Sequence, residues 1–134
     1  FSMLMADFLT AVRYELPITV VVFNNTKLGL IQMEQEVKGN PEYETHLQDM
    51  DYGAFARVCG GEGRRVEDPG ELDEAIAEAI RSDRPTVIDA VVNPEERSMP
   101  PTISLSHALG YGKAKVKEML GMGDSPRIEA LLSR

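Results

Sequence analysis

Two adjacent asparagines, Asn24 and Asn25, close the apolar run Ile18–Thr19–Val20–Val21–Val22–Phe23. Each carries a neutral carboxamide oxygen, a donor suited to a hard cation. Leu28–Gly29–Leu30–Ile31–Gln32–Met33–Glu34–Gln35 follows at once and reads as a helix start. In α/β sheets, ligands sit beyond the carboxyl ends of parallel strands. A strand end, two carboxamides and a helix start in succession point to a magnesium–diphosphate site. Asn-Asn taken alone reads first as a turn after a strand; its flanks are what favour metal binding.

The neighbouring elements must position these residues. Phe1 to Leu16 carries Leu4, Phe8, Leu9 and Val12 at helical spacing, with Met5 alongside, and Pro17 ends that helix. Ile18 to Phe23 shows no apolar/polar alternation, which predicts a strand buried on both faces of a parallel sheet. A helix is predicted over Gly29–Val37. Lys38 to Met50, with Gly39–Asn40–Pro41, reads as an exposed loop. Asp51 caps a short helix through Ala54, Phe55 and Val58, stopped by Gly60–Gly61. Arg64–Arg65–Val66 is a short strand. Asp68–Pro69–Gly70–Glu71 is a helix start, and Leu72, Ala75, Ile76, Ala79 and Ile80 mark its buried face. Thr86–Val92 is a second buried strand. Strand–helix–strand alternation predicts an α/β fold with a parallel sheet. Ser98 to Ser106 reads as a linker, Leu109 to Leu120 as a basic helix, and a short helix is expected after Pro126. The expected organisation is therefore 1–97 as one domain part and 98–134 as linker and helical tail.

Composition narrows the classes. The chain has 134 residues, 43% of them hydrophobic and 27% charged, enough for one core and a wet surface. A net charge of −8 argues against binding nucleic acid through its phosphates. No apolar run reaches the roughly 20 residues that cross a bilayer. The single cysteine, Cys59, has no internal disulfide partner, and no signal peptide is visible, which suggests a cytosolic setting. Phe1 is not an initiator methionine and few strands are visible, so the chain reads as an excerpt lacking N-terminal sequence.

Phe1–Ser2–Met3–Leu4–Met5, the apolar strand, Asn24–Asn25 and the Gly29–Gln35 segment together resemble thiamine-diphosphate enzymes. That family's motif is Gly-Asp-Gly, a spacer, then Asn-Asn, and this chain begins just after the Gly-Asp-Gly. Within the family it most resembles pyruvate oxidase and quinone-dependent pyruvate dehydrogenase. The resemblance covers Phe1 to Pro101 and implies a three-layer parallel-sheet diphosphate-binding fold, truncated at its N-terminus.

The resemblance also implies roles. Asn25 gives its side-chain oxygen to magnesium, and the Lys27 backbone carbonyl is a second ligand. The Lys27 side-chain type should then matter little. Asn24 shapes the turn, since asparagine tolerates left-handed backbone. Thr26, Lys27, Leu28, Gly29 and Leu30 line the cofactor, Gly29 because it lacks a side chain. Leu30 faces the reacting ring. Glu34, four residues on, assists proton transfer if burial raises its pKa; the bland alternative is a solvated helix face. Ile31 stands where aldehyde-releasing decarboxylases carry a glutamate, which counts against that chemistry.

The implied reaction is oxidative decarboxylation of pyruvate, with thiamine diphosphate, magnesium and FAD, the FAD held by a domain absent here. The implied enzyme is a homo-oligomer with its site between subunits, so this chain alone should not turn over. One rival is acetolactate synthase, which usually shows a tryptophan shortly after Asn-Asn; this chain has none. The other is a non-catalytic interaction domain that kept the fold. Among the remaining residues, His46 and His107 read as too isolated for a metal centre and Cys59 as a small buried hydrophobe. Asp89 reads as hydrogen-bonded near a strand edge. Lys113 to Leu120 reads as docked on the protein body, with peripheral membrane contact as the alternative.

Overall fold

The computed structural model describes residues 1–96 and 104–121. The linker positions 98–103 and the short helix expected after Pro126 lie outside the described residues. The chain forms two compact units, one of Phe1–Asn25 with Asp49–Asn93, the other of Thr26–Gln48 with Pro94–Arg134.

The first unit is built on three parallel strands, β1 (Thr19–Asn24), β2 (Glu62–Val66) and β3 (Thr86–Val91), in the order β1-β3-β2. Its helices are α1 (Phe8–Arg13), α3 (Tyr52–Val58) and α4 (Leu72–Arg81). Successive side chains of β3 face opposite ways. Val87 joins Phe8, Val22, Tyr52 and Ala56 on one side, and Ile88 joins Val66, Ala75 and Ala79 on the other. Helix, sheet and helix thus form three layers, as the sequence predicts. Val87 and Ile88 are fully buried, and burial of each contributes about 1.5–3 kcal/mol.

The central strand is β3, not the run before Asn24. β1 lies at the edge of this sheet, and although Val22 is buried, Val21 is 40% and Phe23 75% exposed. An all-apolar run permits burial on both faces but does not supply the covering layer. The first helix is also shorter than its spacing predicts. Glu15 adopts φ 51°, the Leu16 amide donates to the Ala11 carbonyl at 3.0 Å and the Glu15 amide to the Val12 carbonyl at 3.2 Å. This left-handed cap ends α1 before Pro17 is reached; Leu4 and Leu9 are exposed rather than part of a buried face.

The cap residues otherwise behave as their types dictate. Asp51 accepts from the Ala54 amide at 2.7 Å, and Asp68 from the Gly70 amide at 2.8 Å, ahead of a short 3-10 turn leading into α4. The buried faces are rotated from expectation. α3 buries Tyr52, Gly53 and Ala56 and leaves Val58 exposed; Ile80 of α4 is exposed too. The reason for α3 is a close approach to β2. A Cβ on Gly63 would stand 2.8 Å from the Gly53 carbonyl carbon, so small residues rather than large apolar ones face the strand.

The second unit pairs α2 (Gly29–Val37), with the bounds the sequence predicts, and α5 (Leu105–Met119). The 38–48 segment is not simply an exposed loop, because Gly39 and Thr45 are buried. α5 begins four residues before the expected Leu109, since Ser104 accepts from the His107 amide at 3.2 Å. It meets α2 through polar groups. Lys115 Nζ lies 3.0 Å from Oε1 of the fully buried Glu36, and Lys117 Nζ donates to the Gly39 carbonyl at 2.9 Å. No helix among the described residues is long and apolar enough to cross a membrane.

Candidate functional site

Asn24 and Asn25 end the first unit. Asn24 is the last residue of β1, 7% exposed, and its carbonyl accepts from the Val92 amide at 3.1 Å. Its side-chain Nδ2 donates to the Met50 carbonyl at 3.1 Å. Asn24 is thus tied to the first unit and is not the left-handed residue of the turn. The left-handed residue is Thr26, at φ 54°. Asn25 is half-buried.

After the left-handed Thr26, Lys27 and Leu28 run beside 45–47 in the second unit. Lys27 and His46 form an antiparallel bridge, closed by Leu47 N–H to the Thr26 carbonyl and Leu28 N–H to the Thr45 carbonyl, both 2.8 Å. In that pattern the Lys27 carbonyl is turned to the side opposite 45–47. The Lys27 side chain is not indifferent to its surroundings, contrary to expectation. It is 7% exposed, 3.0 Å from Glu95 Oε1 and 3.9 Å from Glu42 Oε2. Glu42 also accepts from Gln32 Nε2 at 2.9 Å and from the Thr45 hydroxyl, and His46 Nε2 lies 3.2 Å from it.

α2 starts at Gly29 behind Leu28, which supplies no side-chain cap to the first amides. Leucine is a poor residue for that position, so the amide end of this helix is left for another acceptor. Leu30 and Glu34 stand one above the other on an exposed face. The Glu34 carboxylate is 67% exposed and 3.5 Å from Lys38. The burial that a proton-transfer role requires is not supplied by the described residues. Gln32 and Glu36 face inward instead.

A polar assembly near the end of β1 is centred on Arg65, to which the sequence reading gives no such role. Arg65 Nη1 donates to the Met50 carbonyl at 3.2 Å and to Asp89 Oδ2 at 3.2 Å, while Nη2 meets Asp49 Oδ2 at 3.2 Å. Hydrogen bonds to Glu67 and Asp49 push the Arg65 guanidinium above its usual range, outweighing its partial burial. Asp89 sits on the central strand, not near an edge, and also accepts from the Tyr52 amide at 3.1 Å. Asp89 is hydrogen-bonded as expected; the partner the sequence reading does not name is Arg65, although a carboxylate in an otherwise apolar strand demands a cation. Arg64–Arg65 on a candidate strand supplied the donors.

No group of three or more His, Cys, Asp or Glu among the described residues is arranged to hold a metal. The donors that remain are neutral oxygens, the Asn25 carboxamide and the Lys27 carbonyl. Such donors fit a magnesium ion whose other ligands are phosphate oxygens, and uncapped helix amides fit the phosphates.

Residues 1–90 match the family described as "Thiamine pyrophosphate enzyme, C-terminal TPP binding domain". The "Putative thiamine pyrophosphate-containing protein YdaP" of Bacillus subtilis is 48% identical over 117 residues, covering 87% of this chain and 20% of that protein. A "Probable acetolactate synthase large subunit" of Methanocaldococcus jannaschii is 31% identical over 98 residues, covering 72% of this chain and 17% of that protein. Among solved structures, the Rhodococcus jostii thiamine diphosphate-dependent 4-hydroxybenzoylformate decarboxylase superposes with a TM-score of 0.62 at 20% identity, over 70% of this chain and 18% of that one. The chain thus spans about a fifth of the length of the proteins it matches.

Proposed function

The chain belongs to the thiamine pyrophosphate enzymes, as their C-terminal TPP-binding domain, and on that premise we propose that it forms part of a larger pyruvate-oxidising enzyme. When bound, thiamine diphosphate supplies the carbon nucleophile that attacks a 2-oxo acid and lets carbon dioxide depart. The chain's own residues hold and orient. The Asn25 oxygen and the Lys27 carbonyl are magnesium ligands. The amides from Gly29 onward receive phosphate oxygen, and Thr26, Leu28 and Leu30 complete the lining. Glu34 holds or moves a proton at the substrate carboxylate end, once an element outside this chain buries it. FAD and a homo-oligomeric assembly complete the proposed enzyme, with pyruvate as substrate.

The observation that carries this reading is the helix start without a side-chain cap at Leu28–Gly29, placed in sequence directly behind Asn25. The oxidative branch is favoured by Ile31, which brings no acid to the site, and by the absence of tryptophan from the chain. A carboligase of the acetolactate synthase type is the second reading, favoured by the 31% identity to such a subunit. The test is pyruvate-dependent dye reduction by the full-length enzyme, with and without thiamine diphosphate and magnesium. Cofactor-dependent dye reduction supports the oxidase. Acetolactate formation without dye reduction replaces it with the synthase. Failure to bind the cofactor overturns both. Asn25→Leu should weaken magnesium-dependent cofactor retention.

A further inference from the structure

One buried ionisable group has no part in the reading above. Asp89 is fully buried on the central strand, and its Oδ1 has no hydrogen-bond partner among the described residues. A half-satisfied carboxylate in a core is poor for stability, since well-packed apolar residues often replace a buried ion pair at no cost. Its other oxygen is well used. Oδ2 accepts from both Arg65 Nη1, at 3.2 Å, and the Tyr52 amide, at 3.1 Å. Arg65 Nη1 also donates to the Met50 carbonyl, and that carbonyl receives Asn24 Nδ2 at 3.1 Å from its other side. An unbroken polar chain therefore runs from the middle of the sheet, through Arg65 and Met50, to the residue that precedes Asn25.

We propose that Asp89 and Arg65 are positioning residues for Asn25: they fix the Met50 carbonyl that holds Asn24 and so set where β1 delivers the Asn25 carboxamide. This rests on the magnesium reading of Asn25. The geometry explains the need for both members. Arg65 has competing acceptors, Asp49 at 3.2 Å and Glu67 at 3.0 Å, each more than half exposed. Asp89 is the fully buried acceptor that draws the guanidinium inward. Weaken it, and Arg65 shifts toward Asp49 and Glu67 and leaves the Met50 carbonyl. Groups that orient a metal ligand without touching the metal commonly change metal affinity about 10–100-fold when removed.

The test uses the full-length enzyme at fixed thiamine diphosphate. Magnesium is titrated, bound cofactor is measured after rapid gel filtration, and melting temperature is recorded for each variant. Asp89→Asn keeps shape and one acceptor but loses the charge; Asn24→Leu cuts the chain at its far end. Each should raise the magnesium half-saturation about tenfold, and the double variant should lie no higher than either single. A half-saturation that stays put while melting temperature falls assigns the pair to stability alone and overturns the proposal. So do effects that multiply in the double variant, because they then act independently. If Asp89→Asn does not fold, Arg65→Lys takes its place, since a lysine keeps the charge without bridging all four acceptors. Asn25→Leu separates the two readings. If it leaves magnesium binding intact, the magnesium reading itself has failed; if it weakens binding while the Asp89 and Asn24 variants do nothing, only the positioning role has.

Discussion

The Thr26 carbonyl accepts from the Leu47 amide at 2.8 Å while Thr26 itself holds φ 54°. A β-branched residue is a poor occupant of left-handed backbone, at a cost of about 1–2 kcal/mol. The bridge to 45–47 keeps it there. Thr26→Asn should therefore raise stability by about 1 kcal/mol, because asparagine adopts this conformation readily. The measurement is the denaturant midpoint. A fall of similar size would show that the threonine side chain contributes more than its backbone costs.

Gly110 and Gly112 lie two residues apart on α5 and should respond oppositely to alanine. A Cβ on Gly110 would stand 2.7 Å from the Val37 carbonyl carbon, whereas one on Gly112 meets nothing within 4 Å. Gly110→Ala should cost about 3 kcal/mol by forcing α5 off α2. Gly112→Ala should gain up to about 1 kcal/mol in helix propensity. Hydrogen exchange of the α5 amides distinguishes the two.

Lys115 and Glu36 make the buried end of the same contact. Burial pulls the Lys115 pKa down, but hydrogen bonds to Glu118 and Glu36 outweigh it, and the net shift is upward from 10.5. The sign follows directly. A pKa raised by folding gives stability that is complete below 10.5 and lost as pH climbs through the higher folded value. Protection of α5 amides should decline as pH rises through that alkaline range. Lys115→Met should cost about 2 kcal/mol, less than for a fully buried pair because the lysine is partly exposed. Adding Glu36→Gln should recover part of the loss.

Glu34 stands on an exposed face with Lys38, so Glu34→Gln should leave melting temperature unchanged. In the full-length enzyme it should lower kcat about 100-fold if the carboxyl moves a proton. Lys38→Ala is the control and should change neither quantity. An unaltered kcat in Glu34→Gln reduces the residue to a surface charge.

Local signals in the sequence were strong where one residue decides one backbone event. Asp51, Asp68 and Gly60 placed helix ends because capping is local chemistry. The apolar period placed Thr86–Val91 because that strand is buried on both faces. The same signal misplaced β1, since Val21 and Phe23 have the composition of a core but not its cover. Charge was the least legible feature. Lys27 is expected to matter only through its backbone, yet its side chain, like that of Glu36, is buried in an ion pair formed with a segment far away in sequence. Arg65 and Asp89 meet only once β2 pairs with β3, which sets the two residues opposite each other. The asparagine doublet was legible as a strand end, but the turn's strain falls on Thr26, where residue type gave no warning.

The polar contacts of α5 with α2 are made by glycine, lysine and glutamate, and the buried residue of α5 is the small Ala114. Their release would therefore uncover little hydrocarbon. Heat capacity and denaturant slope both scale with newly wetted area. Detachment of that helix should consequently be almost silent to calorimetry, and the transition recorded by heating or urea should report the melting of the sheet and its flanking layers.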